Sequence, residues 1–377
     1  LMAQSVNGGH EGILNINVTN DVDLTSVYRG LMTTGIFQGT PSSTAQNKLT
    51  AGGTIRLHVT GEEETNPENY AVIGVIDKYN GNNGQSYYGE GHGKVEISGA
   101  KGVEIISDQG TGISVNFKNQ DQTSASKSSG TVAVTSNNGD VSIQAKKQAI
   151  KTNDKNISHA EIAVSGANVN LVSEEAPTIE LNQNGALQLN TTQDQGKIYI
   201  SSGNGVAAKV SGANSQLTIG DGTHATTVEV AGQIQVGKDG AVAISDNTTT
   251  VVDRAALGDK PFVSVADGGM FTAADNAKLQ VKGAETGTDL YTKENAITFW
   301  KAANVSFDNP FQYLSDDGTV KAGITASNQN SLAGYLAPLV GITATGANDK
   351  TLQPLLLDVD SWNGAVGIGQ AGGIQHS

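Results

Sequence analysis

Short runs of alternating apolar and polar residues fill the chain from Val95 to Pro261. Gly, Asn, Asp or Ser separates each run from the next. Alternation with a period of two is typical of a half-buried β-strand, and spacings of ~8–11 residues between run starts are typical of an all-β repeat. The runs are Val95–Ser98, Val103–Ile106, Ile113–Asn116, Val132–Thr135, Val141–Gln144, Ile162–Ser165, Ile198–Ser201, Leu217–Gly220, Val228–Ala231 and Val242–Ser245.

Stacking of these strands into a solenoid explains them better than one globular sheet, which does not accommodate so many short strands. We therefore predict an all-β protein, a right-handed parallel β-helix with loop insertions near the N-terminus and a C-terminal cap. Turns such as Asn138-Gly139, Asn184-Gly185 and Asp239-Gly240 suit its corners, because Asn, Asp and Gly tolerate left-handed backbone angles. The irregular spacing argues against leucine-rich, ankyrin and tetratricopeptide repeats.

The distribution of aromatic residues divides the chain into three parts. Between Val95 and Pro261 the only aromatic residues are Phe117 and Tyr199. We predict an N-terminal cap and first coils with insertions in residues 1–94, a regular β-helix in 95–261, and the last coils, cap and flexible tail in 262–377. Residues 331–340 are the one stretch that predicts a helix of any length.

Composition narrows the range of functions. Lys and Arg total 23 against 37 Asp and Glu, a net charge of −14, which argues against nucleic-acid binding because phosphate contacts need clustered basic residues. No stretch is apolar enough for a membrane-spanning helix, and the first residues do not resemble a signal peptide. The lack of cysteine fits an exported chain, and we favour a mature or excised part of a precursor over a cytosolic protein.

Motif searches predict no catalytic residue, no metal site and no cofactor. The GxGxxG match at Gly367–Gly372 is followed by only five residues, too few for the helix and the later acidic residue that a dinucleotide fold needs. Asp358-Val359-Asp360 begins like a calcium loop, but Trp362 occupies the third ligand position. The histidines are scattered, and neither HExxH nor GxSxG occurs.

A tyrosine-bearing loop offers the best recognition chemistry. Residues 77–93 carry Tyr79, Tyr87 and Tyr88, and tyrosine supplies flat apolar area and a hydroxyl group at low entropic cost. The three side chains either bind a partner or pack the loop onto the solenoid, and the sequence leaves both interpretations open.

Carbohydrate chemistry is the strongest alternative, because parallel β-helices host polysaccharide lyases and glycoside hydrolases that use acidic pairs or basic residues beside acids. The acids of the middle stretch are dispersed, arginine is rare, and aromatic residues for sugar stacking are nearly missing. We therefore expect a non-enzymatic protein, with this enzyme class as the alternative and a structural stalk as a third option. The residues considered are Glu104, Asp108, Glu180, Glu229, Asp253, Arg29, Arg56 and Arg254.

The alternating strands, the Asn/Asp-Gly corners, the lack of cysteine and the acidic Gly/Asn/Thr/Ser-rich composition resemble a bacterial autotransporter passenger domain, over about residues 12–311. The resemblance implies a cell-surface or extracellular adhesin that attaches to a host surface protein, extracellular matrix, glycan or biofilm, and that self-associates. It also implies a passenger fragment whose C-terminal membrane barrel is not included, with no direct membrane insertion of its own. Side-chain ladders of Asn, Thr, Ser and acids would provide the adhesive contacts.

Overall fold

The computed structural model gives two compact units, Leu1–Thr192 and Gln193–Ser377. The residues that it describes are 1–6, 12–36, 44–61, 70–76, 78–80, 86–88, 92–115, 129–152, 159–257, 262–265, 269–274, 277–282, 311–314, 320–324, 357–359, 365–368 and 372–374. The predicted helix at 331–340 lies outside these residues, and the predicted three-part division stays a prediction.

The described part of the first unit consists of β-strands. They are β1 (Met2–Val6), β2 (Ile13–Val18), β3 (Val22–Ser26), β4 (Arg29–Ile36), β5 (Thr44–Ala51), β6 (Thr54–Val59), β7 (Tyr70–Ile76), β8 (Lys78–Asn80), β9 (Ser86–Tyr88), β10 (His92–Gly99), β11 (Gly102–Ser107), β12 (Thr111–Val115), β13 (Ser129–Thr135), β14 (Asp140–Ala145), β15 (Ile150–Thr152), β16 (His159–Gly166), β17 (Val169–Ser173), β18 (Ile179–Leu181) and β19 (Gly185–Thr191).

The second unit adds further strands and one four-residue helix among its described residues. They are β20 (Gly196–Val210), β21 (Ser215–Ile219), β22 (Thr226–Val236), β23 (Gly240–Ile244), β24 (Thr248–Asp253), α1 (Arg254–Leu257), β25 (Val263–Val265), β26 (Met270–Ala273), β27 (Lys278–Lys282), β28 (Phe311–Leu314), β29 (Val320–Ile324), β30 (Leu357–Val359), β31 (Ala365–Ile368) and β32 (Gly372–Ile374).

Parallel pairing winds the first unit into a three-sided coil. Face A contains β2, β5, β10, β13, β16 and β19, each paired in parallel with the next. Face B contains β3, β6, β11, β14 and β17. Face C contains β1, β4, β7, β12, β15 and β18. Because the chain visits the three faces in turn, the predicted parallel β-helix is confirmed; its right-handed winding stays a prediction.

Aliphatic side chains stack in columns inside this coil. On face B, Leu57, Ile105, Ile143 and Leu171 lie in register on successive strands and are each 0% exposed. Burying such a side chain contributes about 1.5–3 kcal/mol, so each turn of the coil adds a similar increment. The alternation predicted from the sequence places these residues inward and their polar neighbours outward.

Left-handed residues form several corners, as the sequence predicts. Asn184 has φ 59° and Asp239 has φ 58°, and each precedes a glycine that begins a strand. Gly139 is needed for a different reason: a Cβ atom there would collide with the carbonyl oxygen of Lys101 on the neighbouring coil. Corners of adjacent coils therefore approach too closely for a side chain at this position.

The second unit also contains parallel strands, and two of them, β20 and β22, are long. The two halves of β20 pair with the two halves of β22, which in turn pairs with β24 and β25. A separate parallel series contains β21, β23, β26 and β31. At its end β32 pairs antiparallel with β31, which interrupts the parallel order of that sheet.

Candidate functional site

A column of hydroxyl and amide side chains follows the outward side of face A. We call it the hydroxyl–amide ladder; its members are Asn17, Thr50, Ser98, Thr135, Ser165 and Asn190. The strands position these side chains, because residues at the same register of a parallel sheet lie ~4.8 Å apart on one face. Six rungs therefore give a straight polar row roughly 24 Å long.

Most of the ladder's hydrogen-bonding capacity faces outward. Ser165 Oγ donates to Thr135 Oγ1 at 3.4 Å, and Gln188 Nε2 donates to Asn190 Oδ1 at 2.7 Å. Among the described residues, the side chains of Thr50 and Ser98 have no partner within the protein. Each hydroxyl both donates and accepts, so the row can bind a surface that carries hydroxyl or amide groups.

A charged cluster lies beside one part of the ladder on the same face. Glu96 contacts Lys94 Nζ at 2.8 Å, Lys48 Nζ at 4.0 Å and Gln46 Nε2 at 3.3 Å. The hydrogen bond from Lys94 lowers the pKa of Glu96, and burial partly opposes that effect. In the next two coils Ala133 and the alanine in register with it take the place of Glu96, while Glu161, in the column of Lys94, lies 3.2 Å from His159.

Face B carries a column of alternating charges at its outward positions. Arg56 Nε donates to Glu104 Oε2 at 2.9 Å, and Arg56 Nη1 lies 3.7 Å from Asp23 Oδ1. One position along, His58 Nε2 lies 2.8 Å from Asp108 Oδ2. The three residues of this column lie on consecutive coils, with the guanidinium group between the two carboxylates. The column therefore presents both signs of charge.

The second unit contains a compact histidine–aspartate turn. Asp221 Oδ1 accepts the backbone N–H groups of Thr223 and His224, and its Oδ2 lies 2.7 Å from His224 Nδ1. Burial disfavours the charged carboxylate, but these hydrogen bonds outweigh it and the pKa of Asp221 is lowered. The arrangement stabilises a turn, because the carboxylate satisfies backbone donors of its own loop.

The predicted tyrosine site falls on a short antiparallel hairpin. Tyr79 in β8 pairs with Tyr87 in β9, and Tyr88 pairs with Lys78. The backbone of β8 approaches that of β4, within 8 Å between Cα atoms, which places the hairpin beside face C. The three predicted residues thus belong to one hairpin, and their role in binding stays a prediction.

The acids considered for carbohydrate chemistry are spread over both units. Glu104 and Asp108 pair with Arg56 and His58, as described above. Glu180 accepts a hydrogen bond from Gln148 at 2.6 Å, Glu229 is in register with Tyr199, and Asp253 Oδ1 accepts the N–H of Ala255 at the start of α1. Arg29 lies on β4, where burial lowers its pKa and the charge of Tyr70 partly restores it.

Within the described residues, no group of three or more His, Asp and Glu side chains is arranged to hold a metal ion. The same part of the chain contains no helix with the length and apolar character to cross a membrane. Sequence reasoning did not single out the members of the ladder. The alternation places Thr50 and Ser98 outward, but only the register shows that they are neighbours.

Comparison with known proteins adds no assignment. No family model matches this chain, and neither the characterised proteins nor the solved structures include a significant match to it. The faces of the two coils, described from their own residues, therefore carry the functional argument.

Proposed function

We propose that this chain is a bacterial cell-surface adhesin that attaches to host protein, matrix or glycan and self-associates through the hydroxyl–amide ladder. One observation supports the proposal most: six short polar side chains stand in register on the outward side of face A. Short side chains lose little rotamer entropy on contact. The parallel coil holds their backbones in place before any partner arrives.

Many weak contacts would produce the adhesion. A neutral hydrogen bond contributes about 0.5–1.5 kcal/mol net, so one rung alone binds nothing firmly. Rungs on a common backbone bind together, since the first contact raises the effective concentration of the next. Because hydroxyl and amide groups both donate and accept, the ladder of a second molecule or a row of sugar hydroxyls is a suitable partner.

Paired substitutions on two faces test the ladder. Thr135→Glu with Ser165→Glu adds two charges to the ladder, and like charges would then meet across any ladder-to-ladder contact. Ser142→Glu with Asn170→Glu adds the same charges in register on face B of the same coils. We expect the ladder pair to abolish aggregation of cells that display the chain, and the face B pair to retain it.

The ligand class is tested by incubating the purified chain with immobilised polysaccharides and matrix proteins while recording both retention and substrate loss. Retention without substrate loss supports the adhesin. If neither display nor incubation reveals aggregation or retention, the adhesin proposal fails and a structural stalk becomes the better explanation.

The column Asp23–Arg56–Glu104 favours one alternative, a carbohydrate-active enzyme. The backbones of Asp23 and Glu104 lie two coils, roughly 9.6 Å, apart. Both carboxylates contact the guanidinium group of Arg56, so they lie closer together than their backbones, at a separation comparable with the ~6.5–9.5 Å of inverting glycosidases. This alternative predicts release of reducing sugar from a polysaccharide, and loss of that release in Glu104→Gln. Unchanged release by Glu104→Gln would exclude this column as the catalytic site.

A further inference from the structure

The outward side of β20, β22 and β24 in the second unit carries one aromatic side chain. Tyr199 on β20 is in register with Glu229 on β22, and Glu229 is in register with Val251 on β24. All three are half-buried, and Tyr199 is the only aromatic residue among the described residues from 95 to 261. Because neighbouring strands lie ~4.8 Å apart, the tyrosine stands directly beside a carboxylate on the surface of the sheet.

Polar side chains border this row. Thr227 and Thr249 are in register with each other and lie two residues before Glu229 and Val251, so alternation places them on the same outward side. Lys197 lies two residues before Tyr199 and is exposed. We call this surface the tyrosine platform; its members are Lys197, Tyr199, Thr227, Glu229, Thr249 and Val251.

A bulge in β20 borders the platform on one side. The four residues 202–205 of β20, which we call the β20 bulge, stand opposite a single residue of β22, Gly232. A Cβ atom on Gly232 would lie 3.2 Å from the carbonyl oxygen of Gly205, so the bulge packs back against β22. Ala231, the residue before it, points outward by alternation but is only 5% exposed. The β20 bulge therefore covers this end of β22 and gives the platform a wall.

Asn204 holds the β20 bulge together and also offers a donor to solvent. Its Oδ1 accepts hydrogen bonds from Val206 N at 2.9 Å and from Ser202 Oγ at 2.7 Å. These contacts fix the orientation of the amide, since only its oxygen can accept from a backbone N–H. Asn204 is exposed, and its Nδ2 has no hydrogen-bond partner in the part of the chain that the structure describes. The wall thus presents a donor that is already positioned.

These groups match the chemistry of a sugar. A sugar ring presents C–H groups on one face and hydroxyl groups around its rim. Tyrosine supplies a flat apolar surface for the C–H groups at low entropic cost. The carboxylate of Glu229 accepts from hydroxyl groups, Asn204 Nδ2 donates to them, and Thr227 does both.

Other ligand classes fit the platform less well. A protein partner needs an apolar interface core much larger than one tyrosine and one valine. An acidic sugar or a phosphate would meet the carboxylate of Glu229 beside the ring, on a chain with a net charge of −14. A neutral sugar avoids both difficulties.

We infer that the tyrosine platform and the β20 bulge bind a neutral sugar, whose ring stacks on Tyr199 and whose hydroxyl groups bond to Glu229 and Asn204. One aromatic ring and a few hydrogen bonds give a weak site, with a Kd on the order of 1 mM for one sugar unit. The site belongs to the second unit, so it is independent of the hydroxyl–amide ladder and of the proposed adhesion.

Saturation-transfer difference NMR of the 377-residue chain with soluble disaccharides tests the site. The neutral probes are maltose, cellobiose, lactose and N,N′-diacetylchitobiose, and the acidic probe is digalacturonic acid. We expect transfer to at least one neutral probe and none to the acidic probe. Tyr199→Val keeps a residue suited to a strand and should weaken binding about tenfold or more at an unchanged melting temperature. Tyr199→Phe should keep most of the binding.

Two further variants make the result specific. Asn204→Asp keeps an oxygen that accepts from Val206 and Ser202 but removes the N–H donors, so it should weaken binding about three- to tenfold. Thr218→Ala is the control, because Thr218 lies outward on β21 in the other parallel series of this unit, and it should bind as the wild type does. No transfer to any neutral probe, stronger transfer to digalacturonic acid, or equal binding by Tyr199→Val and the wild type would overturn the inference.

The ladder variants separate this inference from the proposed adhesion. Thr135→Glu with Ser165→Glu should bind the disaccharide as the wild type does, even where it abolishes aggregation. If that pair loses the disaccharide while Tyr199→Val retains it, the sugar binds at the ladder and the platform is not the site.

Discussion

Replacing Asn47 with leucine should stabilise the protein, although Asn47 is fully buried and makes a hydrogen bond. Its side chain is 0% exposed and stands in the inward column of face A between Leu14 and Val95. Nδ2 donates to the carbonyl oxygen of Met32 at 3.3 Å, whereas Oδ1 has no hydrogen-bond partner among the described residues. The amide thus lies between aliphatic side chains and makes only part of the hydrogen bonds that it could form.

The expected gain follows from three contributions. Removing the unpaired buried acceptor recovers about 1–3 kcal/mol, and losing the Nδ2 hydrogen bond costs about 0.5–1.5 kcal/mol. Leucine has nearly the same shape as asparagine and adds buried apolar groups, each contributing about 0.8 kcal/mol. With two apolar groups replacing the amide oxygen and nitrogen, we therefore expect Asn47→Leu to raise the free energy of unfolding by about 1–4 kcal/mol.

Urea denaturation measures this change in the free energy of unfolding. Native-state hydrogen exchange measures it as well, because it also detects the local opening of a single coil. Asn47→Leu should raise the urea midpoint and slow exchange of the β5 amides. Asn47→Ala is the matched control: it removes the same polar atoms but leaves a cavity, so its gain should be smaller or absent. A loss of stability in Asn47→Leu beyond that of Asn47→Ala would refute the reasoning, and would show that the amide is needed to set the register of the coils.

Substitutions at three other positions test the charges and corners. The pKa of Glu96 is lowered from its ordinary value of 4.5, mainly by the hydrogen bond from Lys94. The ionised carboxylate therefore stabilises the protein fully above pH 4.5, and this stabilisation is lost as the pH falls through the folded-state pKa. Glu96→Gln should flatten this acidic part of the curve of stability against pH, and an unchanged curve would contradict the assignment. Asn184 has a left-handed φ of 59°, so Asn184→Ala should lower the free energy of unfolding by about 1 kcal/mol and Asn184→Gly by much less. Thermal melts measure this difference. Gly139→Ala should destabilise by roughly 1–3 kcal/mol because its Cβ would meet the carbonyl of Lys101; a melt equal to wild type would show that the corner relaxes.

The candidate surface shows where prediction from the sequence ends. Alternation identifies Thr50 and Ser98 as outward residues, because a strand directs successive side chains to opposite faces. Alternation does not show that they are neighbours, because insertions give the coils unequal lengths. Thr50 and its register partner Ser98 are far apart in the sequence, whereas Ser165 and its register partner Asn190 are much closer together. The same holds for Arg56 and Glu104, which sequence analysis treated as dispersed charges and the structure joins at 2.9 Å.

By itself the sequence determined the strands, their inward residues and many corners, and with them the parallel β-helix. The predicted runs Val95–Ser98 and Val141–Gln144 fall within β10 and β14, because period-two burial and the left-handed preference of Asn and Gly are local properties. Only the tertiary structure decided which strands stack, and so created the hydroxyl–amide ladder and the buried site of Asn47. The physical reason is that register depends on how whole coils close around a common core, and every insertion between strands shifts it.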